Sequence, residues 1–76
     1  MPSYIIILTS ITYVNKAKYL LDQNNIRSYI VKLRTTPERR GCGYGLEINE
    51  NYLHTAVSLI EKYNIRIVEV VKDGGV

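Results

Sequence analysis

With 76 residues, 46% of them apolar and 22% charged, the chain has the size and composition of one small folded domain, 1–76, with no room for a second. Its formal charge of +3, from ten basic and seven acidic residues, is too mild to imply a nucleic-acid partner by itself. One cysteine and one histidine exclude an internal disulfide and cannot complete a four-ligand zinc site, so neither a structural metal nor a cofactor is expected.

The first element is Tyr4-Ile5-Ile6-Ile7-Leu8, β-branched and continuously apolar, the pattern of a central strand buried on both faces. It is far shorter than the roughly 20 residues that span a bilayer. Met1-Pro2-Ser3 supplies no basic leader into a signal core, so a cytoplasmic protein with no membrane partner is expected. After Thr9, either Ser10 or Thr12 can cap a helix in which Val14, Ala17, Leu20 and Leu21 recur at helical spacing. Asn24-Asn25 ends it.

Ile26 to Arg34 alternates as a strand, with Tyr29, Val31 and Leu33 on one side and Ser28, Ile30 and Lys32 on the other. Thr35 to Gly41 is polar, contains Pro37, and predicts a flexible hairpin connection. Cys42 to Ile48 predicts a third strand, with Tyr44, Leu46 and Ile48 on one side and Gly43, Gly45 and Glu47 on the other. Asn49 or Asn51 can cap a second helix whose apolar stripe is Leu53, Ala56, Val57 and Ile60, with Tyr63 at its margin. Ile65 to Val71 is the last predicted strand, which makes 3–71 the expected ordered core and 72–76 a fraying tail.

The two halves echo each other. Asn25-Ile26-Arg27 recurs as Asn64-Ile65-Arg66, and the same shift of 39 residues lays Ala17 on Ala56, Leu20 on Leu59 and Leu21 on Ile60. Two β-α-β units with right-handed crossovers interleave into an α/β (α+β) sandwich of the ferredoxin-like β-α-β-β-α-β type. That arrangement has a four-stranded antiparallel sheet in the order 4-1-3-2 with both helices on one face. If Ile5, Ile7, Val31 and Leu46 face the helices, then Tyr4, Ile6, Leu8, Ile30, Ile67 and Val71 emerge on the open side. So apolar a face predicts a homo-oligomer, or a partner protein, across the open sheet.

Cys42 is the one distinctive chemical group. In this topology the third strand starts where the first strand stops, beside Thr9 and Ser10 and the positive end of the first helix. Arg39 and Arg40 add charge on the adjoining loop, and such surroundings hold a thiol below its ordinary value of about 8.5. Gly41, Gly43 and Gly45 would leave room around the sulfur for an incoming group; the alternative is that Cys42 is a small buried filler and the glycines only relieve crowding. His54 lies on the second helix, at the other end of the sheet, and is too remote to act as its base. With no second cysteine nearby, a thiol–disulfide cycle within the chain is excluded, whereas acceptance of a sulfane sulfur or selenium atom is not.

The run Tyr4 to Ser10, the helix through Ala17-Lys18-Tyr19-Leu20-Leu21, the Asn25-Ile26 turn and the strand Gly41-Cys42-Gly43-Tyr44-Gly45-Leu46 together resemble the small bacterial domains described as putative selenium/sulfur carrier protein-like. The resemblance runs from Tyr4 to Val71, and its specific core is the Cys-Gly pair before an apolar strand. It implies a small carrier rather than an enzyme with turnover. Cys42 would be the chalcogen-bearing thiol with Gly43 as its motif neighbour, and a cysteine desulfurase or selenium-handling enzyme the partner. Thr9 and Ser10 match the polar segment after the first strand, whereas Pro37-Glu38-Arg39-Arg40 departs from the pattern.

Two other classes stay open. Arg40-Gly41-Cys42-Gly43-Tyr44 also has the basic residue, glycine and aromatic of an RNA-recognition strand, but Cys42 occupies a place where a base-stacking aromatic is needed. Alternatively the apolar sheet face is the working surface of a regulatory or assembly module, and the cysteine is incidental.

Overall fold

In the structure, a computed structural model, the described residues are 2–33 and 43–73. They form β1 (Ser3–Leu8), α1 (Ile11–Gln23), β2 (Ser28–Lys32), β3 (Tyr44–Asn49), α2 (Glu50–Lys62) and β4 (Ile67–Asp73). All strand pairs are antiparallel, in the sheet order β2-β3-β1-β4, which counted from the other edge runs 4-1-3-2. The fold is thus α+β, with a four-stranded sheet and two helices.

The helices begin and end by the same chemistry, one half-chain apart. Ser10 caps α1, its Oγ accepting the Tyr13 N–H at 3.3 Å. Asn49, placed 39 residues later, caps α2, its Oδ1 accepting the Asn51 N–H at 2.8 Å. At the other end Asn25 and Asn64 take the left-handed conformation, with φ of 59° and 61°. The Ile26 N–H then reaches back to the Leu21 carbonyl at 2.9 Å and that of Ile65 to the Ile60 carbonyl at 3.2 Å. Each is a Schellman closure, in which the residue after the asparagine drops into the core beside the last helical turn; Ile26 and Ile65 are both buried. Exchanging the halves turns the strand order into itself read backward, so the 39-residue repeat is a structural repeat as well.

The faces of the sheet differ from expectation. Ile6 lies directly opposite Leu46, and residues paired across a sheet share a face. Ile6 and Leu8, rather than Ile5 and Ile7, therefore pack with Val14, Ala17 and Leu21 of α1 and Ala56 and Ile60 of α2 in one core cluster. On β2 it is the Ser28 side that faces the helices, since Ser28 and Ile30 pair with Ile48 and Leu46, and Val31 turns to the other face. The continuous apolar run of β1 carried no alternation from which to choose a side; only the register with β3 chooses it.

This changes which residues make the open face, of those expected there only Val71 remaining. Ile6 and Leu8 are wholly buried beneath the helices, and Tyr4, Ile30 and Ile67 lie on that same side. The opposite face presents Ile5, Ile7, Val31 and Val71 among Tyr29, Gly45, Glu47 and Glu69. Other boundaries shift as well. Lys72, placed in the fraying tail by sequence, pairs with Tyr4 within β4, and Tyr63 is an exposed helix cap rather than part of the α2 stripe. The second strand begins at Ser28 rather than Ile26 because Ile26 closes α1, and its expected end at Arg34 lies outside the described residues.

Ser28 stands where the second half has Ile67, and it is buried with 3% exposure. Its hydroxyl finds no hydrogen-bond partner among the described residues. A buried hydroxyl without a partner carries its desolvation cost uncompensated. In urea denaturation Ser28→Ala is expected to raise the unfolding free energy by about 1 kcal/mol. Ile6→Ala is expected to lower it by about 2–5 kcal/mol. A neutral Ile6→Ala would contradict the assignment of β1 faces.

Candidate functional site

The antiparallel pairing of Ile7 with Gly45 brings the start of β3 to the end of β1, where the chain turns through Thr9 and Ser10 into α1. Thr9 is exposed and Ser10 half-buried. The first turn of α1 contains no acidic residue, whereas that of α2 contains Glu50. The partial positive charge of unpaired N–H groups at a helix start is thus offset by a side chain on α2 and not on α1.

Gly43 closes this end of the sheet. Its carbonyl accepts the Leu33 N–H at 2.7 Å, one pair beyond Lys32 and Tyr44, so the two ends of the β2–β3 connection are held together at the same edge. Its φ of 62° is left-handed, a conformation that costs a residue with a Cβ about 1–2 kcal/mol. Gly43 is therefore required by the backbone, whatever else approaches it.

Gly45 has a packing role instead of the access role expected from sequence. A Cβ there would lie 2.6 Å from Ile5 Cγ2 and 2.9 Å from the Ile6 carbonyl oxygen, with Leu33 Cδ1 at 3.5 Å. Ile5 and Leu33 lie over the glycine. The space is occupied by the protein itself.

Of the residues singled out by sequence, the fold brings Thr9, Ser10 and Gly43 to one end of the sheet. Ser10 is engaged there as the helix cap. Arg39, Arg40, Gly41 and Cys42 lie outside the described residues. His54 is exposed on α2, a helix that starts beside Asn49, opposite Ser3, at the far end of the sheet from Gly43. The stacking platform of an RNA-recognition sheet is not built on the central strands, whose face away from the helices carries Ile5, Ile7, Gly45 and Glu47.

One feature escaped the sequence reading: a shallow depression of about 260 Å³ lined by Asp22, Asn25, Ile26 and Arg27 at the C-terminal end of α1. Its residues recur after 39 positions as Glu61, Asn64, Ile65 and Arg66. The recurrence was visible, and helix closure accounts for its asparagine and isoleucine. Asp22 is already paired with Lys18 at 3.2 Å.

Among the described residues no three His, Cys, Asp or Glu side chains are grouped as metal ligands, and no helix is long and apolar enough to cross a membrane. Compared with known proteins, the chain matches no family model, no curated protein and no solved structure.

Gly45→Ala is expected to destabilise the fold by about 1–3 kcal/mol, because the Ile6 carbonyl is backbone and cannot yield as a side-chain end would. The midpoint of chemical denaturation measures it. An unchanged midpoint would mean that the close approach of β1 to Gly45 is not as described.

Proposed function

We propose that this chain is a ferredoxin-like carrier domain that holds sulfur or selenium on Cys42 and hands it to a partner enzyme. The observation that carries the reading is the position of Gly43. It is fixed by the Leu33 hydrogen bond at the end of the sheet where β1 passes into α1. Cys42, outside the described residues, directly precedes Gly43 in sequence, and at this end of the sheet α1 starts without an acidic residue in its first turn.

Arg39, Arg40 and Gly41 immediately precede the cysteine. The two arginines are cationic and the glycine has no side chain, and exposed Thr9 has a hydroxyl at the junction of β1 and α1. In a reducing cytoplasm a lone thiol stays free for exchange.

The chemistry balances without an external oxidant. The Cys42 thiolate attacks the outer sulfur of a cysteine persulfide on a desulfurase; the new S–S bond forms on Cys42 as the donor's S–S bond breaks, and the donor cysteine leaves as thiolate. The acceptor repeats the exchange. A selenium-handling donor works in the same way, with a selenium atom in place of the outer sulfur. A carrier of this kind needs no general base if its thiol is already ionised.

Two measurements test the proposal. The alkylation rate of Cys42 should rise with pH to a midpoint below about 8.5, the value of an unperturbed thiol. Incubation with a cysteine desulfurase and cysteine, or with the same class of enzyme and selenocysteine so that the donor carries selenium as an enzyme-bound selenopersulfide, should add the mass of one sulfur or one selenium atom to the intact protein, and Cys42→Ser should gain none. A thiol that resists alkylation in the folded protein, or equal labelling of the serine variant, would end the carrier assignment.

A further inference from the structure

We propose that the end of the sheet at which β3 begins is the docking surface for the enzyme that exchanges sulfur with this chain, and that the enzyme meets it with an acidic surface. Such docking rests on the carrier reading, in which a second protein approaches Cys42, the residue directly before Gly43 in sequence.

The pairing of Leu8 with Ile67 places the start of β4 at this end, and that of Lys32 with Tyr44 places the end of β2 there. The start of α1, which follows β1, and the end of α2, which leads into β4, lie at the same end. The far end of the sheet holds the start of α2 and the end of α1. Exchanging the halves exchanges the two ends, so each residue at a helix terminus has a counterpart 39 positions away at the other end.

These counterparts differ in a consistent sense. Ile11 stands where the far end has Glu50, Lys62 where it has Gln23, and Tyr63 where it has Asn24. Ile11 is 40% exposed and Tyr63 52%. A polar residue serves the helix equally well at both counterpart positions, so helix geometry does not call for a large apolar side chain in water at either. Aromatic residues are enriched where proteins meet one another.

Charge separates the ends as well. Leaving aside Lys16 and Lys18 in the middle of α1, the near end has Lys32, Lys62 and Arg66 against Glu61 and, further in, Glu69. The far end has Asp22, Glu50 and, further in, Glu47 against Arg27 and Lys72. Lys32, Lys62 and Arg66 are exposed and form no ion pair among the described residues. An acidic surface is therefore drawn to the near end and turned from the far one, which orients the encounter. A nucleic acid is the poorer fit, because the central strands offer it no aromatic stacking platform.

The test loads the full chain from two donors. A cysteine desulfurase with cysteine must dock; sodium tetrasulfide need not, since the Cys42 thiolate takes one of its sulfurs and trisulfide leaves. Ile11→Glu, Lys62→Gln and Tyr63→Asn combined put at each position the residue that serves at its counterpart, so the circular dichroism should stay that of the parent. With the desulfurase limiting, the initial loading rate read by intact mass should fall about tenfold, and added salt should slow the parent. Tetrasulfide should load parent and variant alike, and Gln23→Lys at the far end should load as the parent does from either donor. An unchanged desulfurase rate in the triple variant, an equal fall with both donors, or a parent rate indifferent to salt would overturn the docking surface and leave the carrier reading standing. So would binding of a mixed-sequence RNA that the triple variant loses. A parent that neither donor loads would end the carrier reading, and the docking surface with it.

Discussion

The contact on which the structure depends is the pairing of Ile6 with Leu46 at the centre of the sheet. Strand side chains alternate with a period of two, so this one register decides the orientation of every residue on both central strands. It sends Ile6, Leu8, Leu46 and Ile48 into the helix-covered core. It sends Ile5 and Ile7 to the opposite face, where Gly45 must lack a Cβ for Ile5 to lie down beside it. A slip by one residue would bury Glu47 under the helices and expose the core.

Around that centre the molecule is built twice. The two helices share their length, their capping positions and their left-handed asparagine closures, because each β-α-β half must solve the same problem: starting a helix just after a strand and returning from its end to the sheet. The informative residues are those at which the halves disagree. Ser28 replaces Ile67 in an apolar site. Glu50 has no acidic counterpart in the first turn of α1, and β4 is bulged where β2 is straight. The proposed carrier function draws on one such departure, the first turn of α1 without an acidic residue.

The glycines near Cys42 show how far a motif can be read before coordinates are known. Three of them around a cysteine imply an open approach to sulfur. Gly45 is instead consumed by packing and Gly43 by a left-handed backbone. Ser10, one of two hydroxyls expected near the sulfur, is spent on its helix cap. Thr9 is left exposed at the junction. Much of the local chemistry that looked functional therefore has a structural use first.

From sequence alone came the six elements in their order, both capping residues as one of two choices, the apolar stripes of the helices, and the repeat. These are local properties, set by residue spacing, capping hydroxyls and amides, and the need for left-handed asparagines at helix ends. The convergence of Thr9, Ser10 and Gly43 also followed, since antiparallel connectivity dictates which strand ends meet. The side of β1 that meets the helices did not follow, because five consecutive apolar residues look alike from either face. Nor did the extra pairing of Lys72, the solitary hydroxyl of Ser28, or the contrast between the two sheet edges. Those depend on which residue lies across from which, a distance in space that only the folded chain defines.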